Sequence, residues 1–381
     1  MRPHDAAGTM GEHEMNQRSR LLLFTVMATL MMTAMAPLSW SKDFIPPPMI
    51  VRSVFGKLKP VVSPPNNPMT AAKVVLGERL FKDPRLSGDG TVSCESCHRE
   101  NNAFTVAAPL SPAFTSQVER RNAPSLINVG YADLLLWDGR VEALDEQPVG
   151  SLSNVLHLNS HPDLAVEQIK ADGDYVAAFA IAFGDDAITP KRLGQAIGAF
   201  ERTLIYRDSP FDRYMAGDTD ALSDFERRGL GVFMKRGRCI ACHNGPHFSD
   251  GEFHNIGVPD GHITGDPRHM EVIRFDAKRR GYEGWADLNE DPGRALVTHD
   301  PDDIGRFRTQ DLHNIADTAP YMHNGTYPTL EEVVAHYNRG GGDHPNQSGL
   351  INPLKLTEDE QAQLVAFLKT LSGTRQAWPL P

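Results

Sequence analysis

Cysteine is scarce in this chain of 381 residues: Cys94, Cys97, Cys239 and Cys242 are all there are. Two local disulfides or a Cys/His zinc site would use four cysteines, but a disulfide-dense scaffold is excluded. Basic residues are not in excess. The formal net charge is -11, which argues against nucleic acid as a partner and mildly favours a basic or neutral protein, although ordinary solubility accounts for the charge equally well. Runs of alternating apolar and polar residues are missing, so the chain reads as mostly α. Only one stretch approaches membrane length. Arg18 and Arg20 precede an uncharged apolar run, Leu21 to Pro37, and Ser39 and Ser41 flank a cleavage point after Ser41. This is the order of an export signal, expected over residues 1–41, and it implies a periplasmic location. The run is slightly short for a spanning helix; an uncleaved anchor is the alternative. Once processed, the protein is expected to have no stable membrane insertion.

What is present is a globular composition, 40% hydrophobic and 23% charged, in a chain long enough for two domains. The cysteines fall in two copies of one pattern, Cys94-Glu-Ser-Cys97-His98 and Cys239-Ile-Ala-Cys242-His243. C-x-x-C-H is the attachment pattern of c-type haem. Two thiols at this spacing reach the two vinyl groups of one porphyrin, and the adjacent histidine swings under the iron as proximal ligand. Zinc sites of the C-x-x-C type usually lack a histidine directly after both second cysteines. Two covalently bound haem c groups are therefore expected, and redox chemistry with them.

The chain also repeats itself. Leu126/Leu312, Asn128/Asn314, Gly139/Gly325 and Leu144/Leu330 are each 186 positions apart. Gly77-x-x-Leu80-Phe81 precedes the first haem motif as Gly229-Leu-Gly-Val-Phe233 precedes the second. The simplest reading is a duplicated single-haem unit: two cytochrome c-like haem domains related by a pseudo-two-fold axis. Helical periodicity or composition marks 73–81, 163–183, 190–206, 223–235, 329–337 and 357–371. Gly217-Asp-Thr-Asp220 reads as the junction, giving an N-terminal domain over 42–217 and a C-terminal domain over 218–381.

Together these motifs resemble the bacterial dihaem cytochrome c peroxidase and MauG superfamily, from about residue 70 to residue 372. The specific parts are Leu80-Phe81-x-Asp83-Pro84-x-Leu86-Ser87, Arg121-Asn122-x-Pro124, Trp137-Asp138-Gly139-Arg140, Ser209-Pro210-Phe211-Asp212 and Ala319-Pro-Tyr-Met-His-Asn-Gly325. The peroxidase branch has an axial methionine on its second haem; the matching position here is Tyr337, which looks like the tyrosine ligand of MauG. His336 is the rival ligand, and a packed tyrosine is the reading from spacing alone. The repeat offset puts Ser151 at the equivalent point of the first half. Serine is a poor iron ligand, so the first haem, held by His98, is expected to be open on its distal side.

The resemblance implies further roles. Gln147 matches the family's distal glutamine, and His157 falls where the family has a glutamate, so His157 and Gln147 would assist peroxide cleavage. Trp137 matches the tryptophan between the haems and would bridge them. Asn122, Thr318 and Pro320 match the ligands of a calcium ion, and Arg140 is a candidate for a haem propionate. The peroxidase branch holds an inhibitory histidine between its first haem motif and Arg-Asn-x-Pro; here residues 103–121 contain none. The implied activity is MauG-like. Hydrogen peroxide forms a high-valent two-haem oxidant that oxidises a tryptophan or tyrosine of a partner protein, as in the MbnH-type enzymes of methanobactin operons. The alternative is a peroxidase reducing hydrogen peroxide with electrons from a small cytochrome or copper protein; a non-catalytic electron carrier is a third. Trp285 and Trp378 are candidates for the surface exit.

Overall fold

The computed structural model describes residues 44–111, 119–259 and 267–379. The expected export signal lies outside these. Residues 45–381 form a compact unit of their own, the second of two along the chain, and it holds both haem motifs.

The second unit is mostly helical. Its helices are α1 (Pro48–Phe55), α2 (Ala71–Lys82), α3 (Cys94–Cys97), α4 (Gln147–Ser153), α5 (Pro162–Lys170), α6 (Gly173–Phe183), α7 (Pro190–Glu201), α8 (Pro210–Ala216), α9 (Asp224–Met234), α10 (Pro267–Arg279), α11 (Ala295–Thr298), α12 (Leu330–Arg339) and α13 (Glu358–Lys369). Strands among the described residues are two residues long. β1 (Tyr206–Arg207) pairs antiparallel with β4 (Thr374–Arg375), and β2 (Phe253–His254) with β3 (Phe307–Arg308). Ser209, Ser223 and Thr357 start α8, α9 and α13 with capping boxes closed by Asp212, Glu226 and Glu360. These caps satisfy the orphan N–H groups of each first turn.

Two helix pairs cross at the heart of two separate apolar cores, α2 with α7 and α9 with α13. Each crossing turns on a glycine. A Cβ on Gly77 would stand 1.9 Å from the Ala196 carbonyl oxygen, and one on Gly229 would stand 1.9 Å from that of Gln363. The backbones touch, so no side chain fits between them. The duplication extends to backbone detail. Asn128 and Asn314, Leu136 and Met322, and Gly139 and Gly325 share positive φ values within several degrees of one another. The bridges Leu135–Val141 and Tyr321–Tyr327 close the same loop in both halves.

The structure differs from the sequence expectations at three places. The helix expected over 163–183 is two, because Asp172 turns its side chain onto the Asp174 N–H and starts α6 afresh. The helix expected to run to Tyr206 stops at Glu201, and Tyr206 enters β1. Finally, Val51 and Phe55 of α1 and Phe211 and Tyr214 of α8 belong to the second core, although they precede the expected junction at 217. Phe55, Phe211 and Phe248 pack with ring centroids 4.7 to 5.4 Å apart.

Candidate active site

Each core opens into a cavity of similar size, about 1230 Å³ beside α3 and about 1270 Å³ beside the second motif, counting their mouths. Cys94, Cys97 and His98 line the first; Cys239, Cys242 and His243 line the second. None of the four cysteines is in a disulfide. The imidazole Nδ1 of His98 lies 2.9 Å from the Phe104 carbonyl oxygen, and that of His243 lies 2.8 Å from the Phe248 oxygen. A carbonyl only accepts, so Nδ1 carries the hydrogen and Nε2 keeps its lone pair. Burial pushes the His98 pKa down to about 4, against the pull of the Phe104 carbonyl, and lowers that of His243. Both rings are neutral donors at neutral pH, as a metal ligand must be.

The polar wall of the first cavity carries Arg120, Arg121, Arg140 and Arg308. Arg121 bridges the buried carboxylates of Asp138 (2.8 Å) and Asp291 (2.6 Å), Arg140 bonds Asp138, and Arg120 pairs with Asp276. Burial, with repulsion from Arg120 and Arg121, lowers the Arg140 pKa to about 10 even though Asp138 holds it up. Arg308 pairs with none of these carboxylates and donates to carbonyl and amide oxygens instead, which leaves a cation for the propionates of a porphyrin. Paired cysteines outside any disulfide, oriented imidazoles, largely apolar walls and the Arg308 guanidinium that borders both cavities together fit a haem in each.

The faces opposite the two histidines differ. In the second cavity, Tyr337 of α12 lines the wall, and its hydroxyl has no hydrogen-bond partner among the described residues. Burial, reinforced by Cys239 and Cys242, raises its pKa. His336 is committed elsewhere: its Nδ1 lies 2.9 Å from the Tyr327 hydroxyl and its Nε2 lies 2.9 Å from the Ile256 carbonyl oxygen. In the first cavity, Ser151 of α4 lines the wall, with Gln147 one turn earlier and His157 on the loop that folds back after Asn154. The Gln147 amide donates to the Ser151 hydroxyl (3.0 Å), and that hydroxyl lies 3.2 Å from His157 Nδ1. On its other side, His157 Nε2 lies 3.0 Å from Glu119 Oε1.

Trp137 lines both cavities, as do Arg308 and Gln310. Its indole N–H donates to the Asn122 carbonyl (2.8 Å). The matching residue of the second half, His323, lines the second cavity alone and stacks on Phe307 with ring centroids 3.7 Å apart. Asn122, Thr318 and Pro320 line one further cavity, which Trp137 also borders. The Asn122 side-chain nitrogen donates to the Ala108 and Pro109 carbonyls, leaving its oxygen for another partner. Trp285 and Trp378 border neither haem-sized cavity. Glu119, Arg120, Arg308 and Gln310 carry no motif and were not expected from the sequence; only the fold brings them here.

A family model described as di-haem cytochrome c peroxidase matches residues 71–220. The chain is 40% identical over 324 residues to the cytochrome-c peroxidase IdrP1 of Denitromonas iodatirespirans, covering 84% of this chain and 86% of that one. It is 31% identical to the methylamine utilization protein MauG of Methylorubrum extorquens, over 87% of each chain. Among solved structures, a MauG-like protein associated with microbial copper homeostasis superposes with a TM-score of 0.71 at 34% identity, covering 84% of this chain and 94% of the other.

Proposed function

This chain belongs to the dihaem cytochrome c peroxidase and MauG family and is a dihaem peroxidase-type oxidoreductase; from that premise we propose that it works in the MauG manner, oxidising an aromatic residue of a partner protein at the expense of hydrogen peroxide. Haem, when bound, supplies the reaction with peroxide and holds the oxidising equivalents that result. Cys94, Cys97 and His98 would hold it in the first cavity; Cys239, Cys242 and His243 would hold it in the second, where Tyr337 would offer an oxygen donor to the iron. Peroxide enters the first cavity, where His157 and Gln147 handle its protons. Trp137, bordering both cavities, is the path between them. The oxygens of Asn122, Thr318 and Pro320 suit a hard cation such as calcium. The family role and the amino-terminal signal fit a periplasmic protein.

The observation that carries this reading is the asymmetry between matched positions: an unpartnered phenol at Tyr337 in one cavity, a small hydroxyl at Ser151 in the other. An anionic oxygen donor stabilises higher oxidation states of iron, whereas methionine favours the reduced state. Near-infrared absorption after one equivalent of peroxide tests it. A charge-shared band is expected in the parent and is lost in Tyr337→Met; its absence from the parent, or its survival in the variant, counts against the proposal. The names of the relatives favour a second reading, a peroxidase that takes electrons from a small cytochrome or copper protein. Rapid turnover of peroxide with such a donor, without prior reduction, would select it.

A further inference from the structure

Glu119, His157, Ser151 and Gln147 form one chain of polar contacts along the first cavity. His157 Nε2 lies 3.0 Å from Glu119 Oε1, an ion-pair contact with a group that can only accept, which favours the hydrogen on Nε2. His157 Nδ1 is then a bare lone pair, and the Ser151 hydroxyl donates to it across 3.2 Å. The Ser151 oxygen in turn accepts from the Gln147 amide. Burial works against an ionised Glu119, but His157 and Arg120 outweigh it and hold its carboxyl below the ordinary range. With both ring nitrogens engaged, His157 cannot meet a substrate directly. What it can reach is the hydroxyl of Ser151, and Ser151 occupies the position from which the second half presents Tyr337 to its cavity.

We propose that Ser151 is the catalytic hydroxyl of the first cavity, passing a proton from hydrogen peroxide to His157, with Glu119 as the positioning residue that holds His157 in the accepting tautomer. This rests on the reading that peroxide reacts in that cavity. The proton balance is simple. Ser151 gives its hydrogen to His157 Nδ1 and takes one from the nearer peroxide oxygen, leaving hydroperoxide and an imidazolium paired with Glu119. When the O–O bond breaks, its electron pair departs with the outer oxygen. That oxygen recovers the same proton by the reverse route and leaves as water. Haem, when bound, would supply the two electrons that the inner oxygen then lacks. Serine, histidine and an acid in this order are how acyl-transfer enzymes make a hydroxyl exchange its proton; here the same chain of donors faces a peroxide instead.

Cyanide association with the loaded enzyme tests the relay without turnover, because at neutral pH the entering species is HCN and must lose a proton to bind. In stopped-flow mixing with potassium cyanide, Ser151→Ala and Glu119→Gln should each slow association at the first haem by roughly tenfold or more, at full haem content and with an unchanged second-haem spectrum. Ser151→Thr, which keeps the hydroxyl, should recover most of the rate. The slowing in D2O seen in the parent should shrink in Ser151→Ala, which a purely structural role would not cause. Parental rates in Ser151→Ala and Glu119→Gln beside a slow His157→Ala would overturn the relay while leaving His157 its role. Parental rates in all three would overturn the relay and the acid–base reading of the cavity together.

Discussion

Arg121 shows what single side chains do here. Its guanidinium is 6% exposed and joins Asp138 and Asp291, two carboxylates that lie in different halves of the chain. Burial alone would raise both acids, but Arg121 overrides it and holds each well below the usual carboxylate range. Arg121→Ala strands Asp291 in the interior and leaves Asp138 to Arg140 and Arg120, and should cost about 3–5 kcal/mol of stability, measured by chemical denaturation of the loaded protein. Because both acids are lowered on folding, their stabilisation is complete above about pH 4, where the acids of the unfolded chain ionise, and drains away as pH falls toward their folded values. Asp291→Asn should be less stable at pH 7 and show a shallower fall below pH 4 than the parent. At this scale the sequence is partly readable. Thiols and imidazoles announce themselves by spacing, Tyr337 by the family resemblance, and Ser151 by the repeat offset from Tyr337. Glu119 has no such signal, because its meeting with His157 depends on a loop and a helix end far apart in the chain.

Helices raise a different question, that of approach distance. Gly77 and Gly229 allow α2 and α9 to lie directly on α7 and α13. Gly77→Ala and Gly229→Ala should each destabilise by about 1–3 kcal/mol or more, as overpacked cores do. Haem loading should fall in the affected half first, read as separate losses in the spectra of the two sites. Both glycines stand out in sequence as part of the repeat, and the fixed offset of 186 is a true guide to shared loop geometry. The break at Asp172 is hidden, since apolar residues continue at helical spacing through it and only the side-chain cap ends the turn. Helices α1 and α8 are too short for periodicity to reveal, and each begins at a proline that reads equally well as loop.

For the whole molecule, the telling residue is Trp137, the aromatic side chain that borders both cavities. Trp137→Phe keeps an aromatic body but loses the donor to Asn122 and part of the bridging ring. Both haems should remain attached and the first should still consume peroxide, while the near-infrared band expected of the parent is abolished. An unchanged band would remove Trp137 from the path. The turn residues at 217–220 mark a junction in the sequence, but the packing divides differently: Val51 and Phe55 cross from the start of the chain to the far core, where Phe211, Phe233 and Phe367 receive them. During synthesis, then, the first helix of the described residues is among the last to find its seat, waiting for α13 some three hundred residues behind it. A fragment cut at residue 217 would carry that helix with nowhere to put it, so the two units, however alike, are sewn together by the thread that precedes them both.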